Sequence, residues 1–190
     1  KKKVVTSKIT TTVQTTTTQQ VSIANETAVS TTSSGTSVSQ ATAAASSSQN
    51  QSKYEANVAS VAGKMDNRVI AAYQQLGFKL VVDPSVNYSG YFDARSRSIT
   101  MKQIDDSVYH ELGHFLAFIA GNADKTASFQ SIFAAEKANV TAFNKAYVTQ
   151  NASEYFAESV KDYILNNASL KSSRPQTYAA VQNALNQITD

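Results

Sequence analysis

Cysteine is absent from this 190-residue chain, so neither disulfides nor thiolate metal sites are available to it. That absence suits a protein exported from a Gram-positive cell as well as a cytosolic one. Long apolar runs are missing too, and no stretch approaches the roughly 18 residues that a membrane-spanning helix needs. Aromatic residues are missing from positions 1–52, where 24 residues are Ser or Thr. With only scattered Val and Ile, that segment has too little to bury to offset the entropy of ordering, and we expect a disordered tail there, a linker or a wall-spanning spacer. A charge excess is missing from the remainder: residues 53–190 carry 13 basic and 13 acidic side chains, so the basic pI comes from Lys1, Lys2, Lys3 and Lys8 set against Glu26. The body therefore gives no charge argument for nucleic acid. The lysine run reads as a solvated end or the remains of a signal n-region. Because the chain does not begin with Met, we expect a signal peptide to have been removed ahead of Lys1.

Histidine occurs only twice, and both copies fall in Val108-Tyr109-His110-Glu111-Leu112-Gly113-His114-Phe115. In a helix, residues four apart share a face, so His110 and His114 can offer both imidazoles to one metal ion. Glu111 sits beside that ion, where it can take a proton from the attacking water rather than act as a ligand. Val108, Leu112, Phe115 and Ile119 recur at helical spacing and predict a core-facing stripe, with both histidines off it. The bland alternative is a pair of surface histidines on an amphipathic helix. It leaves the coincidence of both histidines and the glutamate unexplained.

The remaining pattern is mainly helical. Tyr54, Val58, Val61, Met65, Val69, Tyr73 and Leu76 recur every three or four residues and predict one helix from about Lys53, ended by Gly77. Lys79 to Val82 predict a short strand with an Asp83-Pro84 turn behind it, and 90–92 with 98–101 a hairpin. Asp105 or Asp106 would cap the histidine helix and Gly121 close it. A further helix is predicted over 126–143, with Phe129, Ile132, Phe133, Val140 and Phe143 on its apolar positions. Residues 147–153 look looser. Ser153 would cap a helix to Leu165, with Phe156, Val160, Tyr163 and Ile164 facing the core, and Pro175 opens a last helix. The predicted class is α+β, mainly helical, with a small sheet before the metal helix and one domain over 53–190. By analogy with zinc peptidases built this way, 98–101 would be the edge strand on which an extended substrate adds.

Two histidines leave a catalytic zinc one protein ligand short, and with no other histidine or cysteine the third must be an acid. Glu154, Glu158 and Asp162, aligned at four-residue spacing, are the candidates, although such a row is more often a solvated face. A carboxylate four residues beyond the ligand could hold the outer N–H of a ligand histidine.

His110-Glu111-Leu112-Gly113-His114, followed some forty residues later by Glu154-Tyr155-Phe156-Ala157-Glu158, resembles the catalytic domain of anthrax lethal factor and the small secreted Pro-Pro endopeptidases of Gram-positive bacteria. The resemblance implies a zincin-like metalloprotease domain over 53–190 that holds one Zn2+ through His110, His114 and Glu154, with Glu158 behind a ligand histidine. The family's tyrosine, seven residues before the ligand Glu, maps to Tyr147 and implies a phenol that stabilises the oxyanion. It further implies a secreted endopeptidase acting on a protein or peptide substrate, such as a proline-rich surface protein, with proline around the cut. From the balanced charge and the lack of a long apolar run we expect neither nucleic acid nor membrane as partner, and we expect a monomer. Two rivals remain: a lethal-factor-like protease with another sequence preference, and a non-catalytic cell-surface binding module on the same fold. The intact Glu111 argues against the second, since a binding module has no use for that base.

Overall fold

The structure, a computed structural model, describes residues 52–188. The tail expected over 1–52 therefore lies outside the described residues, apart from Ser52. The strands are β1 (Tyr54–Ala56), β2 (Lys79–Val82), β3 (Gly90–Asp93) and β4 (Ser98–Met101). The helices are α1 (Val58–Val61), α2 (Asn67–Gln75), α3 (Ser107–Ile119), α4 (Ala127–Glu136), α5 (Lys145–Val148), α6 (Ala152–Leu165), α7 (Asn167–Ser173) and α8 (Pro175–Asn186). The class is α+β, mainly helical with a small mixed sheet.

The single helix expected from Lys53 to Leu76 is instead a strand and two helices. Tyr54–Ala56 pairs antiparallel with β2, Tyr54 opposite Val82. The Asn57 side chain then accepts the Ser60 N–H to start α1, and Asp66 accepts the Arg68 N–H at 2.9 Å to start α2. Two caps inside one apolar periodicity break the helix. Val58, Met65, Val69 and Tyr73 are buried all the same, whereas Tyr54 and Leu76 at the two ends are exposed.

The sheet runs in the order β1-β2-β4-β3, with β2 and β4 parallel and the other pairs antiparallel. The hairpin over 90–101 forms as expected. Its turn is tied by Asp93, which accepts the Arg95 N–H and the Ser96 hydroxyl, each at 2.8 Å. The assignment of 98–101 as the edge is corrected: β4 lies inside the sheet, held by β2 on one side and β3 on the other, and Ile99 and Met101 are wholly buried. The edge strands are β1 and β3, and β3 is the edge that lies against α3.

Helix α3 is apolar nearly all round, with Val108, Tyr109, Leu112, Phe115 and Leu116 buried, because it packs on the sheet and also against α6. Phe115 meets Tyr73, Phe78 and Phe92 at ring separations of 5.0, 4.9 and 6.2 Å, which binds α3 to α2 and β3. On the other side, α3 crosses α6 at Gly113. A Cβ there would lie 2.7 Å from both Cα and O of Ala157, so the two backbones touch and nothing larger than glycine fits.

Three further expectations change. Helix α4 stops at Glu136 rather than reaching Phe143, and Phe143 is fully exposed. Glu136 is drawn away from its own helix: its carboxylate accepts the N–H groups of Gln176 and Thr177 at 3.0 and 2.9 Å, closing the start of α8. Asn151, not Ser153, caps α6, accepting the Glu154 N–H at 2.9 Å, while the Ser153 hydroxyl donates to Asp124. Helix α7 was not anticipated.

Candidate metal centre and catalytic cleft

The crossing of α3 and α6 brings the two sequence motifs together. Gly113 and Ala157 form the contact, and His110 and His114, three before and one after Gly113, meet Glu154 and Glu158, three before and one after Ala157. His110 Nε2 lies 3.1 Å from Glu154 Oε2, and His114 Nε2 lies 3.7 Å from the same oxygen. One donor atom from each of His110, His114 and Glu154 falls within 4.8 Å of the others. Donors at about 2.0–2.2 Å in a tetrahedral zinc site stand roughly 3.3 Å apart, so two nitrogens and a carboxylate oxygen at this spacing suit such an ion. Three donors also leave a fourth position for water or substrate.

Of the acid row, Glu154 and Glu158 reach the histidines and Asp162 does not. Glu158 Oε2 accepts from His110 Nδ1 at 2.9 Å, and its Oε1 takes the Lys161 ammonium at 3.2 Å. This fixes His110 with Nε2 turned toward Glu154. Asp162 instead binds the buried guanidinium of Arg174, which also donates to Ser159 at 3.1 Å. Glu154 lies in the first turn of α6, where the N-terminal amides favour a carboxylate.

Without a metal, the cluster is strongly polarised. Burial opposes charge on His110, but the hydrogen bonds it donates to Glu154 and Glu158 outweigh it, and its pKa is pushed up to about 9. Burial likewise opposes charge on Glu154, yet hydrogen bonds from His110 and His114 hold its carboxyl far below the usual range. Burial raises Glu111, partly countered by the nearby histidines. Glu111 is buried beside β3, against Gly90 and the Phe92 amide.

A cleft of about 360 Å³ opens over His110, Glu111 and Tyr147, walled by Tyr88 and Gly90 on one side and Asn144 and Lys161 on the other. Tyr147 stands on α5, half-exposed, its ring 6.4 Å from that of His110. Burial and the neighbouring Glu154 push the phenol up to about 12, so it keeps its proton. On the far side, His114 opens to a smaller hollow of about 210 Å³ lined by Phe92, Phe118 and Lys125. The expected residues His110, Glu111, His114, Tyr147, Glu154 and Glu158 thus all lie together. Lys161 and Gly90 were missed. Lys161 carried a readable signal, three positions beyond Glu158, whereas Gly90 carried none.

The sequence model for the family described as anthrax toxin lethal factor, N- and C-terminal domain, matches residues 87–184. A Pro-Pro endopeptidase of Clostridioides difficile (strain 630) is 41% identical over 78 residues, covering 39% of this chain and 34% of that protein. The match thus spans about a third of that relative's length. The family match takes in more than half of the chain, from just before the edge strand β3 through most of α8, and includes both helices of the crossing. On that extent of agreement, this protein belongs to the anthrax lethal factor family.

Proposed function

We propose that residues 53–190 form a zincin-like zinc endopeptidase domain, secreted by a Gram-positive bacterium, that hydrolyses a protein substrate with proline around the scissile bond. The observation that carries this reading is the convergence of His110, His114 and Glu154 within 4.8 Å, with Glu111 adjacent. Zinc bound by these three would supply Lewis-acid polarisation of the scissile carbonyl and acidify the attacking water. Glu111, raised by burial, takes the water's proton and returns it to the leaving nitrogen, as base and then acid. Tyr147, protonated at working pH, donates a hydrogen bond to the carbonyl oxygen as negative charge develops on it. Glu158, held by Lys161, keeps His110 oriented. An extended peptide adds to β3, whose outer edge is unpaired, and so passes Glu111 before reaching the histidines.

The proline preference is supported by the named relative. A second reading, a protease of the same family with another preference, is favoured by how little of that relative is matched. A proline-containing peptide library, digested by wild type and by Glu111→Ala with zinc assayed in both, tests the whole. Cleavage by wild type alone, with zinc in both, supports the endopeptidase, and the cut sites choose between the two preferences. Zinc in neither protein ends the reading.

A further inference from the structure

Gly90 is a glycine for a reason that strand geometry does not supply. Among the described residues, glycines with positive φ occur at 77 and 121 only, so the backbone at 90 is open to any L residue. Glycine weakens a strand, through entropy and the loss of a packing side chain, and in a strand often marks a close approach. Here the approach is to the catalytic carboxylate. A Cβ on Gly90 would fall 2.6 Å from Glu111 Oε1, 2.7 Å from its Cγ and 2.9 Å from its Cδ. All three atoms belong to one side chain, so the space that glycine leaves open is the space Glu111 fills. Glu111 is itself buried, with His110 and His114 on its own helix and Phe92 beside it in β3, and the space it can yield into is the cleft itself.

We infer that Gly90 is a positioning residue: its missing side chain forms the notch in β3 that fixes where the Glu111 carboxylate stands relative to the scissile bond. The inference rests on the proposed role of Glu111 as base. Any side chain at 90 pushes that carboxylate off the strand and changes its distance to the attacking water and the leaving nitrogen. The three atoms nearest a Cβ at 90 all belong to Glu111 and none to a metal donor, so metal binding should be left alone.

The test is a cycle of four proteins: wild type, Gly90→Ala, Glu111→Ala and the double variant. Bound zinc, melting temperature and, for the first two, kcat and KM are measured. Gly90→Ala should keep its zinc and its KM but lose about 100-fold in kcat, the scale of a displacement near 1 Å. It should also melt roughly 5 °C lower than wild type, the scale of an overpacked contact. In the Glu111→Ala background the three atoms that a methyl at 90 strikes are gone, and the melting loss should vanish. An equal loss in both backgrounds would make Gly90 a feature of the strand alone and overturn the inference, as would unchanged melting and kcat in Gly90→Ala. If wild type cleaves no peptide, the proposed activity fails, while the melting cycle still decides whether Gly90 acts through Glu111.

Discussion

Glu154 and Glu158 take opposite nitrogens of His110 while Asp162 turns to Arg174, and the consequences separate accordingly. Glu154 shares its oxygen with both histidines, so Glu154→Ala should abolish stoichiometric zinc binding, read by elemental analysis after dialysis. Asp162→Ala should keep zinc in full but leave the Arg174 guanidinium buried without its carboxylate, costing about 3 kcal/mol of unfolding free energy in denaturant titrations. The same residues set the pH response of the metal-free protein. The pKa of His110 is raised on folding from 6.5 to about 9, so its contribution to stability is complete below 6.5 and is lost as pH rises through 9. Zinc must displace that proton, so zinc affinity should climb across the same window. A melting series on apoprotein, paired with zinc titrations from pH 6 to 9, should show stability falling as affinity rises.

At the level of elements, the crossing of α3 and α6 governs the site. Gly113→Ala drives a methyl into the Ala157 backbone, which cannot yield as a side chain would, so the helices must separate. We expect loss of zinc together with a fall in melting temperature, whereas Asn151→Ala should cost only the α6 cap, about 1 kcal/mol, with zinc retained. Both helices could be read from sequence because their apolar spacing and their chemistry sit in the same short motifs. What failed was whatever depends on partners distant in the chain. Tyr54 looked helical because it falls in register with the apolar positions that follow, yet it stands exposed on β1 and pairs with Val82, a partner 28 positions away that local spacing does not reveal. Analogy alone places strand 98–101 at the edge, and its true position is set by pairing with β2, which the hairpin's own residues do not encode. Ser153 and Asn151 are both good caps, and only Asp124, 29 positions from Ser153, removes Ser153 from the contest.

Over the whole molecule, the proposed catalytic domain should stand without the Ser/Thr-rich segment. A chain beginning at Lys53 should bind one zinc, melt where the full chain melts and digest the same peptides, and a lower melting temperature would assign the segment a part in folding. Adding zinc to the apoprotein should raise its melting temperature progressively, since a ligand that binds only the folded form stabilises it by mass action. The passage of Gly113 over Ala157 has one more effect. Because main chain rests on main chain there, the distance between the histidine pair and Glu154 is a property of the scaffold and not of the ion it holds. Cobalt, close to zinc in size and open to the same nitrogen and oxygen donors, would be held by the same three side chains. A colourless centre would thereby become coloured, and its visible spectrum would report any substitution that lets the two helices drift apart.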